Sequence, residues 1–126
     1  MIIDKVEDRF LNDTILSFDK KDFMDKIDYD KKIFKELIDM SFSEIKNYIY
    51  MLDNLINEKK MPEIKKISHS LKGLALTFCF NRIAKITLMI ENNLENDFNK
   101  INDLYIKLKT ELCKVEEIIK EDNDLR

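Results

Sequence analysis

Apolar residues recur at helical spacing through most of the chain. From about residue 29, Phe34, Leu37, Ile38, Ile45, Tyr48, Ile49, Leu52, Leu55 and Ile56 follow the i, i+3, i+4, i+7 rule of an amphipathic helix. Ser41 interrupts that stripe, between Met40 and Phe42. Asn57-Glu58-Lys59-Lys60 reads as a polar connection. Pro62 then opens a second long helix, because the first turn does not need the N–H that proline lacks. This helix runs to about residue 78 with Ile64, Ile67, Leu71, Leu74, Ala75 and Phe78 inward. Asn81 is expected to N-cap a third helix, with Ile83, Ile86, Ile90 and Leu94 on its inner face. Residues 96–99 break the pattern. A last helix over about residues 100–120 turns Ile101, Leu104, Tyr105, Leu108, Leu112, Val115 and Ile119 inward. Ahead of these four, residues 18–27 predict a short helix with Asp19 as its N-cap. Residues 1–17 scatter Ile2, Ile3, Phe10, Leu11 and Ile15 among acids and predict a partly ordered arm, with a helical turn packed on the bundle. The expected fold is all-α: an antiparallel, up-down four-helix bundle with an additional short N-terminal helix, spanning residues 18–126.

Composition supports that class. One glycine and one proline in 126 residues leave little material for hairpins and bulges. The length suits one domain with one core. A net charge of −3 gives no electrostatic case for nucleic acid. No apolar run approaches the roughly 20 residues of a membrane span. Asp4, Glu7 and Asp8 interrupt any apolar leader, so a cytoplasmic protein is expected. Cys79 and Cys113 are far apart in sequence, and both are expected to be reduced and buried.

His69 is the one histidine in the chain. At about 100° per residue it lies about 200° from Leu71, so it faces away from the core stripe. Lys65, Lys72, Gly73 and Leu76 share its face at i−4, i+3, i+4 and i+7, and Lys66 borders it. Most surface lysines are only a solvated face, but here three bracket one imidazole. Positive charge there favours an anion on the ring and disfavours the imidazolium, and a neutral imidazole offers a nucleophilic lone pair. Gly73, the single glycine, sits inside a predicted helix at a cost of about 1 kcal/mol relative to alanine. Close helix packing would explain it; so would clearance for another protein approaching His69, and its outer-face position favours clearance. No second histidine completes a metal cluster or a serine–base pair, and no glycine-rich loop offers a nucleotide site.

His69-Ser70-Leu71-Lys72-Gly73, followed by Ala75 and later by Glu91, resembles the signature of histidine-containing phosphotransfer (HPt) domains of phosphorelay signalling. The likeness covers roughly residues 18–120. Thr77-Phe78-Cys79-Phe80 is similar to a Thr-Phe-Gly-Phe stretch in the phosphotransfer domain of chemotaxis histidine kinases. Two departures stand out: Cys79 where the family usually has glycine, and Leu74 where it has a smaller residue. Without glycine's freedom at positive φ, Cys79 predicts an altered turn into the next helix.

The resemblance implies that His69 is the phospho-accepting residue and that Lys72 lies near the phosphoryl oxygens. It implies that Glu91 accepts a hydrogen bond from the ring Nδ1–H and leaves Nε2 as the nucleophile. Lys65, Lys66, Gly73 and Leu76 would form the docking face. The implied partners are response-regulator receiver domains or a hybrid histidine kinase. No cofactor is expected on this chain and no metal ligands; Mg²⁺ is expected on the partner receiver domain. The protein would be a monomeric phosphocarrier rather than an enzyme. Two rival readings fit the residues less well. A histidine-kinase dimerisation domain would show His-Glu-Leu-Arg and a nearby Thr-Pro or Asn-Pro, which this chain lacks. A non-phosphorylated adaptor that binds receiver domains would have no reason to keep both His69 and Lys72.

Overall fold

In a computed structural model, residues 15–93 and 97–122 are described. Among them the chain forms five α-helices and no strand: α1 (Lys20–Lys26), α2 (Lys31–Asn57), α3 (Met61–Thr77), α4 (Asn81–Glu91) and α5 (Phe98–Glu121). The pattern expected for the N-terminal arm, and Leu94 on the inner face of α4, lie outside the described residues apart from the arm's last three positions. The contacts between elements close a ring: α2 packs on α3, α3 on α4, α4 on α5, and α5 returns to α2.

The apolar stripes supply the core. Phe34, Ile45, Leu52, Ile64, Leu71, Ile83, Ile90, Ile101, Leu104 and Leu108 are fully buried, each worth about 1.5–3 kcal/mol relative to exposure. Ser41 does not break the α2 stripe after all. It is buried, and its hydroxyl donates to the Ile38 carbonyl at 2.7 Å, so the helix itself satisfies the one polar atom it takes inside. Thr87 does the same on α4, donating to the carbonyls of Ile83 and Ala84. Arg82 and Glu111 form a largely buried ion pair between α4 and α5 at 3.2 Å.

Helix ends explain the boundary differences. Asp19 caps α1 as expected, accepting from the Asp22 amide. The second helix starts at Lys31 rather than near residue 29, because Asp28 and Tyr29 take positive φ to close α1 and Asp30 then caps α2 through the amides of Lys32 and Ile33. Asp97 caps α5 through Asn99 and Lys100, which moves its start ahead of residue 100. Asn81 is not the cap of α4. Phe80 holds that position without a side-chain bond, and Asn81 is the first helical residue. Phe80 is fully buried, with its ring 5.6 Å from Phe18, 5.8 Å from Phe42 and 5.9 Å from Phe78; an aromatic anchor has taken the place of a polar cap. Cys79 is buried as expected, but Cys113 is exposed, one residue past the inward Leu112 on α5.

Three helices end alike. The amide two residues past the helix cap reaches back across the last turn: Tyr29 to Met24, Lys60 to Leu55, and Phe80 to Ala75, at 2.9 to 3.0 Å. The residue before each of those amides, Asp28, Lys59 or Cys79, has φ between 53° and 59°. This is the geometry that glycine serves at least cost. Cys79 therefore does not produce a different turn; it accepts the left-handed backbone itself. Lys59 is exposed, so Lys59→Gly relieves the same strain without removing packing. We expect it to raise the unfolding free energy by about 0.5–1 kcal/mol in urea titration, the αL cost less glycine's extra unfolded-state entropy.

Candidate phosphoryl-accepting site

Burial of Ile64, Leu71 and Ala75 sets the rotation of α3. With those three inward, His69 is turned out, and its side chain is 69% exposed. The imidazole is nevertheless held. Its Nδ1 lies 3.1 Å from Oε1 and 3.0 Å from Oε2 of Glu91, at the C-terminal end of α4. A carboxylate can only accept, so in the neutral ring this contact places the proton on Nδ1 and the lone pair on Nε2. Lys72, one turn beyond His69, reaches the same carboxylate, with Nζ 3.4 Å from both oxygens. The Glu91 side chain is 21% accessible. One carboxylate thus joins α4 to two side chains of α3.

Sequence reasoning brought His69, Lys72 and Glu91 into one group, and the structure brings them together. The hydrogen bond between the ring and Glu91, expected from the family resemblance, is present; that Lys72 pairs with the same carboxylate was not expected. Only the family pattern singled out Glu91, which lies on a different helix from His69. Lys65 is half-buried and Lys66 exposed. Leu76 is 51% exposed on the same side of α3. Among the described residues, no group of three or more His, Cys, Asp or Glu side chains could hold a metal ion.

Gly73 is exposed, and a Cβ built there meets nothing within 4 Å. That removes close helix packing as its reason. Its φ is not positive either, while four other residues adopt positive φ without being glycine. The fold spends its one flexible residue where neither backbone nor packing asks for it.

Cys79 lies within the α3–α4 turn. Its thiol donates to Asp22 Oδ2 at 3.3 Å, and the Lys26 ammonium approaches the sulfur at 3.6 Å. Burial, reinforced by the bond to Asp22, pushes the thiol above its usual range, so it stays protonated and tethers α1. The Cys79 carbonyl also accepts the Asp19 amide at 3.0 Å.

The Hpt domain family model matches residues 36–117, more than half of the chain. The chain belongs to the Hpt domain family. No curated protein and no solved structure matches it. Hpt domains serve histidine phosphotransfer in two-component phosphorelays, as phosphocarriers that interact with receiver domains or histidine kinases. The matched region contains α3 and α4 whole, and with them His69, Lys72, Gly73 and Glu91. No helix among the described residues is long and apolar enough to cross a membrane.

In this Hpt domain Gly73→Ala replaces a helical glycine by the best helix former, with open space for the new methyl. Thermal or urea denaturation should show a gain of about 1 kcal/mol. A loss of stability would mean that Gly73 serves the fold.

Proposed function

We propose that this Hpt domain is a phosphorelay carrier in which Nε2 of His69 takes the phosphoryl group. The observation that carries this is the hydrogen bond from Nδ1–H to Glu91, on a ring otherwise open to solvent. Nε2 attacks the phosphorus of an aspartyl phosphate on a receiver domain. The N–P bond forms, the P–O bond to the aspartate breaks, and the aspartate leaves as a carboxylate. Nδ1 keeps its proton, so positive charge develops on the ring, and Glu91 lies against it to stabilise that charge. The reverse step hands the group to another receiver. A histidine kinase can replace the first donor.

The remaining parts follow the same reading. The helices run up and down as an antiparallel four-helix bundle over residues 18–126, with α1 as the additional short helix. Contacts across α2 and α5 support that direction: Lys46 pairs with Glu116, and further along α2 the Ile49 carbonyl accepts from Tyr105, earlier in α5. Lys65, Lys66, Gly73 and Leu76 form the docking face, with Gly73 giving clearance next to the ring. The chain acts as a cytoplasmic monomer and leaves Mg²⁺ chemistry to the receiver. Lys72 moves from Glu91 toward the phosphoryl oxygens once the ring is loaded, exchanging one charge-assisted contact for another.

Incubation with a phosphorylated receiver domain and Mg²⁺ should place an acid-labile, base-stable phosphate on the protein. His69→Gln should abolish the label while the helical circular dichroism spectrum stays unchanged, because the side chain is mostly exposed. Label retained in His69→Gln would overturn the carrier reading.

Lys72 and Lys65 should differ. Lys72→Ala should slow transfer at saturating receiver by about tenfold, or about 1.4 kcal/mol in the barrier. Lys65→Ala should weaken apparent affinity, with an effect that fades as salt screens it. Rapid-quench kinetics at two ionic strengths separates the cases. Equal, salt-sensitive losses would leave Lys72 no special role.

A further inference from the structure

An apolar cavity of about 390 Å³ opens beside the histidine site. Lys72 and Leu76 of α3 form one wall, and Ala84 and Leu88 of α4 form another. Both walls lie within the matched region. The third wall is Ile15 and Leu16, which lie ahead of residues 36–117 and so outside what the family model describes.

That third wall is fixed in place. Ser17 and Phe18, next in sequence, are buried. The Phe18 ring lies 6.2 Å from those of Phe23 and Phe34 and 5.6 Å from that of Phe80. The Asp19 amide is bonded to the Cys79 carbonyl. Leu16 is therefore two residues from an anchored aromatic, yet it is 55% exposed. Leu76, across the cavity, is 51% exposed. Single exposed leucines are ordinary. Two that converge on one cavity, on supports that hold them apart, leave apolar surface for an incoming side chain to cover.

We propose that Leu16, with Ile15, is a partner-selecting contact: the cavity receives an apolar side chain from the receiver domain that exchanges phosphoryl with His69. This rests on the carrier reading. The occupant follows from continuity, since Lys72 and Leu76 belong to both the histidine face and the cavity. Leu76 lies one turn beyond Lys72 on α3, so a receiver seated over His69 and Lys72 also meets Leu76. Its phosphorylated aspartate brings negative charge to Lys72 while its neighbouring apolar surface meets Leu16. Because Ile15 and Leu16 are not part of the shared family region, they are the means by which this chain distinguishes its own receiver from others that share the histidine-site chemistry.

The test uses the full chain and a receiver domain of the source organism charged with acetyl phosphate and Mg²⁺. Binding is measured by titration calorimetry, and transfer by rapid quench over a range of receiver concentrations. Leu16→Glu should raise both the dissociation constant and the half-saturating receiver concentration by about tenfold or more, as expected for losing one buried leucine contact. The rate at saturation should stay within about twofold. Leu16→Met should behave as wild type. Ile118→Glu, an exposed apolar position on α5, should change neither quantity. Circular dichroism confirms that each variant is folded. Unchanged affinity in Leu16→Glu, or an equal loss in Ile118→Glu, would overturn the inference while leaving the carrier reading intact. Receiver binding that depends on Leu16 in a protein that never takes label would uphold the docking surface and overturn the carrier reading instead.

Discussion

The rotational setting of α3 is the constraint on which the site depends. Ile64, Leu71 and Ala75 are buried with no measurable exposure. Turning the helix to hide His69 would bring both large side chains into water, at about 1.5–3 kcal/mol each. A single helix cannot bury one face without presenting the other, and the presented face carries the histidine, the glycine and Leu76. The core therefore aims the chemistry, and the only further adjustment is local: Glu91, from the next helix, sets which ring nitrogen points outward. Site and core are read from the same 3.6-residue repeat.

Glycine usage sharpens the division between fold and function. Asp28, Tyr29, Lys59 and Cys79 all hold a left-handed backbone that a glycine would adopt more easily. The chain tolerates that strain at three helix ends. Its one glycine lies instead on an exposed helical face, where an added methyl group meets nothing. Strain accepted at the helix ends and a glycine placed on an open surface agree with the clearance proposed for Gly73 beside the ring.

Most of the helical architecture was legible in the apolar spacing, because long amphipathic helices repeat their signal many times. What failed were features that depend on one residue. Asn81 looked like a cap from its chemistry alone, yet the cap position went to Phe80, whose burial among Phe18, Phe42 and Phe78 outweighs a side-chain hydrogen bond. Ser41 looked like a break because hydropathy cannot see that a serine can bond to its own helix. Cys113 looked buried because cysteines usually are, although the stripe through Leu112 and Val115 already turned it outward. In the site, His69 and its exposure followed from spacing, and Lys72 from its place one turn away. Glu91 could not be derived that way. It lies on a different helix, and only the family pattern linked it to the ring before the distances did. The wall made by Ile15 and Leu16 was missed for a related reason: a short segment without periodicity gives no hint of what it lies against.

The tethers of α1 have a consequence for how the molecule breathes. Its buried rings Phe23 and, just ahead of it, Phe18 meet Phe34 at the start of α2 and Phe78 and Phe80 around the α3–α4 turn. Lys20 pairs with Asp122, just past the end of α5. The start of α2, the end of α3 and the start of α4 thus share one aromatic knot, to which Lys20 ties the end of α5, while the ladder of α1 itself is only seven residues long. A helix that short has little stability of its own. α1 therefore depends on the knot for its order, and α4, which carries Glu91 at its far end, is pinned at its near end by the same contacts. Loss of that pinning would free the near end of α4, the helix from which Glu91 reaches the ring.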